Sequence, residues 1–119
     1  MESARRKVYW HSNESKEART LKGAIATVDF FASRTEGGSI TSDRLSLVIA
    51  APERGPSGDT WQCRVALADL VRPETVIGRD SFEALALALT QARVWIGHLR
   101  TQGRVLTRDR AGEIPFECP

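Results

Sequence analysis

The sequence predicts an α+β fold: an antiparallel β-sheet of about four to six strands, with one long α-helix in the C-terminal half packed across one face. Three observations predict it. "LSLVIAA" and "TWQCRVAL" alternate apolar with other residues at the period of a half-buried strand. "RDSFEALALALTQARVWIGHLR", Arg79 to Arg100, opens with a helix start signal and continues in residues that favour helix. The glycines and prolines fall between such segments, where turns account for them. At 119 residues, 41% apolar and 27% charged, the chain matches one average globular unit, so residues 1–119 are expected to fold as a single domain.

In chain order, "RRKVYWHS" sets Val8 and Trp10 against Lys7, Tyr9 and His11, a first strand. "NESKEARTLKG" lacks an apolar face and reads as a connection with a helical turn around Glu14 to Arg19. "GAIATVDFFAS" alternates Ala26, Val28 and Phe30 against Thr27, Asp29 and Phe31, a second strand. "RTEGGSITSDR", with Gly37 and Gly38 and four hydroxyl residues, reads as a turn or a long hairpin loop. Next come a strand with Leu45, Leu47 and Ile49 on one face, a protruding loop "PERGPSGD", and a strand with Trp61, Cys63, Val65 and Leu67 on one face; the two strands should pair antiparallel. "ADLVRPETVIG" reads as a turn around Pro73 and a short strand, Thr75 to Ile77.

Asp80 stands as helix N-cap with Glu83 completing a capping box, and Gly103 supplies the left-handed residue that ends the helix. At 100° per residue, Phe82, Leu85, Leu89, Ala92, Ile96 and Leu99 form a core stripe widened by Ala84, Ala88 and Trp95. Five large side chains buried there would contribute on the order of 10 kcal/mol before conformational entropy. The opposite side carries Glu83, Thr90, Gln91 and His98, but also Leu87 and Val94, seven residues apart and on the wrong side for the core. Arg104 to Thr107 reads as a last strand and Asp109 to Gly112 as a turn.

The chemistry-bearing residues are few. Seventeen basic against fifteen acidic residues leave a net charge of +2, too small to draw the chain onto nucleic acid or a membrane unaided. Only His11, His98, Cys63 and Cys118 could serve a nucleophilic or zinc site, and they are scattered singly; no metal, cofactor or catalytic residue is expected, and the chain is not expected to be an enzyme. No phosphate-binding glycine loop occurs, and Asp69 with Glu74 or Asp109 with Glu113 read as solvated ion pairs. Met1 to Lys7 is polar and no apolar leader occurs, so the expected setting is the reducing cytoplasm, with free thiols and no membrane contact.

The pattern "DTWQCRVAL" followed by "IGRDSFEALALAL" resembles a family of small uncharacterised bacterial proteins, a domain of unknown function, in which a Trp-x-Cys strand precedes Gly-x-Asp and an Ala/Leu-rich helix. Trp61, Cys63, Gly78, Asp80, Glu83, Ala84 and Leu85 occupy those positions, within a resemblance over about residues 45–103. It implies a compact α+β fold and a bacterial source and brings no activity; Met1 to Arg44 departs from it.

The functional expectation is a non-enzymatic protein-interaction domain, of the kind formed by an immunity protein or inhibitor. It would meet a partner protein, or a second copy as a homodimer, through Leu87, Gln91, Val94 and His98. The alternative is a small nucleic-acid-binding or regulatory protein using Arg5, Arg6, Lys7, Tyr9 and Trp10, with Arg104, Arg108 and Arg110 as a second patch.

Overall fold

The structure, a computed structural model, describes residues 21–68 and 70–118. The expected first strand with Val8 and Trp10, the candidate nucleic-acid residues Arg5, Arg6, Lys7, Tyr9 and Trp10, and also His11 and Asp69, lie outside the described residues. Within them, six strands make one antiparallel sheet crossed on one face by a single helix, the predicted α+β class.

The long hairpin β1 (Ala24–Glu36) and β2 (Ser39–Ala50) pairs from Glu36 with Ser39 back to Ala24 with Ala50. Of the turn or long loop that composition predicts over residues 34–44, the structure has the turn, and it is only Gly37 and Gly38, at φ of 58° and 83°. Two adjacent glycines supply the left-handed backbone that a tight hairpin turn needs at both central positions, so the polar residues on either side can stay in the ladder.

β4 (Trp61–Ala68) pairs antiparallel with β2, Ser46 opposite Ala68 through Ile49 opposite Val65, as expected. The intervening loop is not wholly irregular. Its start folds back as β3 (Glu53–Arg54), which continues along the β2 side of β4 with Arg54 opposite Trp61, and the Arg54 guanidinium lies 5.1 Å from the centre of the Trp61 ring. On the other side of β4 runs β5 (Val71–Gly78), longer than the three residues expected and passing through Pro73. Proline is tolerated because β5 is an edge strand among the described residues, where a missing N–H leaves no ladder bond unmade. β6 (Val105–Thr107) closes the opposite side against Phe31–Ser33 of β1.

The alternating faces fall as the sequence places them. Phe30 and Ala32, Leu45, Leu47 and Ile49, and Cys63, Val65 and Leu67 are buried toward the helix in one core cluster. The other face is also buried at its centre: Val48 and Ala50 cluster with Leu21, and Ala66 with Ala68. That is why the ends of β2 and β4 read as continuous rather than alternating apolar runs.

Helix α1 (Ser81–Thr101) buries Ala84, Ala88, Ala92, Trp95, Ile96 and Leu99. The stripe deduced from hydrophobicity is therefore turned toward its alanine side. Leu85 is only partly buried against the core, Leu89 is 41% exposed and Phe82 82% exposed. The alanine row lets the helix come close to the sheet, and the approach is tightest where Gly78 meets the backbone of Glu83 and Ala84. With three large buried side chains instead of five, the helix face contributes roughly 5–9 kcal/mol before entropy is subtracted. The helix ends as expected at Gly103, φ 84°, where the Gly103 N–H donates to the Arg100 carbonyl and the Arg104 N–H to that of Leu99.

Candidate functional site

Helix α1 is set in place at its first turn. The Glu83 N–H donates to Asp80 Oδ1 at 2.7 Å, the bond expected of an N-cap. The reciprocal half of the capping box is displaced by one residue: the Glu83 carboxylate accepts from the Arg79 amide at 2.7 Å and from the Arg79 guanidinium at 2.9 Å. The Arg79 guanidinium, followed by its amide, holds the Glu83 carboxyl below the ordinary carboxylate range.

From this anchored start the helix presents two apolar flanks. On one, Leu87 and Val94 are 41% and 42% exposed, Gln91 is half-buried between them and His98 is exposed, so all four predicted contact residues share one row. On the other flank stand Phe82 and Leu89, which helical spacing alone assigns to the core. An amphipathicity argument detects apolar character but not how close the helix axis lies to the sheet, and it is the alanines that set that distance.

The three C-terminal arginines do not form the single patch expected of them. Arg104 is drawn inward: its side chain is 8% exposed, and Nη2 donates to the Ala32 carbonyl at 2.9 Å and to Asp43 at 2.7 Å. The Arg108 guanidinium lies 5.3 Å from the centre of the Phe116 ring, on the helix side of the sheet. Arg110 lies over Phe31, 4.9 Å from the ring centre, on the other side, because Phe30 and Phe31 point to opposite faces of β1.

Of the two cysteines, Cys63 is buried and donates from Sγ to the Ala50 carbonyl; burial pushes its thiol pKa up and leaves little nucleophilic thiolate. Cys118 is a half-buried free thiol on the tail. No group of three or more His, Cys, Asp and Glu side chains that could hold a metal occurs among the described residues, and none of their helices is long and apolar enough to cross a membrane.

The tail is held by a turn whose centre is titratable. Asp109 accepts from the Ile114 amide at 2.8 Å and the Glu113 amide at 3.0 Å, and these bonds, that from Ile114 foremost, lower its pKa. The turn carries Phe116 back onto Phe30, the rings stacked at 4.5 Å, and Arg100 donates to the Phe116 carbonyl at 2.7 Å. Because the folded pKa is depressed, the stabilisation is present above the unfolded aspartate pKa and is lost as pH falls through the lowered folded value. The hydrogen-exchange protection factors of the Glu113 and Ile114 amides, corrected for intrinsic exchange at each pH, should therefore fall, beyond the change across the rest of the sheet, when the protein is acidified through that window. Asp109→Asn should flatten this local response, and a uniform fall in protection across the sheet in both proteins would contradict it.

No family model matches this chain, and no curated protein or solved structure matches it.

Proposed function

We propose that this chain is a non-enzymatic protein-interaction domain of the bacterial cytoplasm, an inhibitor or immunity-type protein that acts by covering a partner. The contact is the flank of α1 formed by Leu87, Gln91, Val94 and His98. The observation that supports it is the pairing of two half-exposed branched apolar side chains two turns apart, on a helix whose core-facing row is already complete without them. Such a row, flanked by an amide and an imidazole, suits a partner's apolar groove rimmed by polar groups. The resemblance to a small bacterial family, carried by Trp61, Cys63, Gly78, Asp80, Glu83, Ala84 and Leu85, supports the source.

The test is a comparison of the wild-type chain with Leu87→Asp and Val94→Asp as bait in cells, together with light scattering of the purified proteins. A stoichiometric partner or homodimer should be held by the wild type and weakened at least tenfold by either substitution. Thermal unfolding of the variants should shift by less than about 1 kcal/mol, since these positions are outside the core. A partner held equally by all three proteins, or a monomer that holds none, sinks the proposal.

A further inference from the structure

Helix α1 packs mainly over β4 and β5, so the same face of β1 and β2 is left partly open, covered at one end by the tail where Phe116 stacks on Phe30. Between helix and tail runs an apolar trough of about 280 Å³, lined by Ala26 and Val28 of β1, Leu47 and Ile49 of β2, Leu89 of α1 and Phe116 of the tail. Among the described residues, the outer edge of β1 beside this trough is also unpaired. β6 pairs only with Phe31, Ala32 and Ser33, so residues 25–28 have β2 on one side and, among the described residues, no strand on the other.

The first residue after β6 is Arg108. It lines the trough with its guanidinium near the Phe116 ring and makes no ion pair among the described residues; Glu117 of the tail also lines the trough, and both side chains are exposed. A strand edge and a cation that have no partner strand and no carboxylate partner among the described residues, and an apolar trough beneath them, thus meet in one place.

We propose that the edge of β1 at residues 25–28 is a strand-addition site for an extended peptide segment of a partner protein, apolar at alternate positions and carrying a carboxylate at the end beside Arg108. A strand prolonging the line of β6 would complete the main-chain hydrogen bonding of β1. Because successive side chains of a strand point to opposite faces, every second one would enter the trough over Ala26 and Val28. The exposed Arg108 guanidinium, with the Phe116 ring against it, would meet a carboxylate in a charge-assisted pair. An incoming strand antiparallel to β1 would bring the carboxylate as an acidic first residue, and a parallel one as its C-terminal carboxylate. The site goes beyond the α1 flank proposed above and does not depend on it.

Amide chemical shifts of the full chain, followed by NMR, test it with three synthetic peptides built on Val-Thr-Val-Thr-Val: one acetylated and amidated, one preceded by an acetylated Asp and amidated, and one acetylated with a free C-terminus. One of the two acidic peptides should shift the amides of Ile25 to Val28 and bind at least tenfold more tightly than the neutral one, and which one does so reports the strand direction. Methylating every second peptide nitrogen should abolish binding, Arg108→Gln should erase the tenfold preference, and Leu87→Asp should change neither. The proposal is overturned if no peptide moves these amides at millimolar concentration, if the neutral or methylated peptide binds as well, or if the amides already shift on dilution of the free protein, which would assign the edge to a second copy. The peptide comparisons decide between these outcomes on the unaltered protein, whether or not Arg108→Gln folds.

Discussion

Gly78→Ala should destabilise the fold by about 3 kcal/mol or more, toward or beyond the upper end of what overpacking a core costs. An added Cβ would stand 2.5 Å from the Ala84 nitrogen and 2.9 Å from its Cα, closer than real atoms approach. These are backbone atoms in the first turns of α1, so no side chain can rotate aside. Relief would require the end of β5 and the start of the helix to separate, and Asp80, two residues on, anchors that start through its bond to the Glu83 amide. Gly97 provides the control within the same helix: a Cβ there meets nothing within 4 Å, and alanine should stabilise by roughly 0.5–1 kcal/mol through its greater helix propensity. Denaturant unfolding of both variants checks the opposite signs. Gly78→Ala within about 0.5 kcal/mol of wild type would show that the strand and helix can part without loss.

Arg104→Ala should cost about 2–3 kcal/mol, the scale of losing charge-assisted hydrogen bonds made by a side chain largely removed from water. Nη2 joins the Ala32 carbonyl of β1 to the Asp43 carboxylate of β2, and Asp43 faces Ala32 across the hairpin, so one guanidinium ties the end of α1 to both strands. Arg104 Nε is buried with no partner among the described residues, which leaves the ion pair with Asp43 and the carbonyl bond to offset the burial of the charge. Asp43→Ala should cost less, about 1 kcal/mol or under, because Asp43 is 65% exposed and its pairing competes with water. Urea unfolding of the two single variants and the double variant separates these contributions, and equal losses for the two singles would contradict the assignment of the carbonyl bond as the larger part.

Apart from β3, which lies in a stretch read as loop, the order of elements from β1 to β6 was legible because each depends on neighbours in sequence. Alternation in Leu45 to Ile49 and Trp61 to Leu67 follows from the two-residue period of a strand, and both the pairing and the buried face agree. Asp80 and Gly103 mark the ends of α1 because orphan amides and carbonyls are satisfied within a few residues. The hairpin of β1 and β2 was underestimated since its polar tip has no apolar pattern; only the cross-strand ladder shows that Thr35 and Ile40 still pair. At the candidate site, the row from Leu87 to His98 was legible from helical spacing, whereas the exposure of Phe82 and Leu89 and the stretch of β1 edge left unpaired among the described residues were not.

What residue order alone determined here is local: the period of each segment, its caps, its turns and the class α+β that they add up to. The distance of α1 from the sheet, its placement over β4 and β5 rather than β1 and β2, and the dispersal of Arg104, Arg108 and Arg110 were settled by tertiary packing. The physical reason is that each is decided between groups far apart in the chain: how closely the alanine row of α1 can approach β4 and β5, whose backbone accepts an arginine, and which stretch of strand edge the tail leaves uncovered.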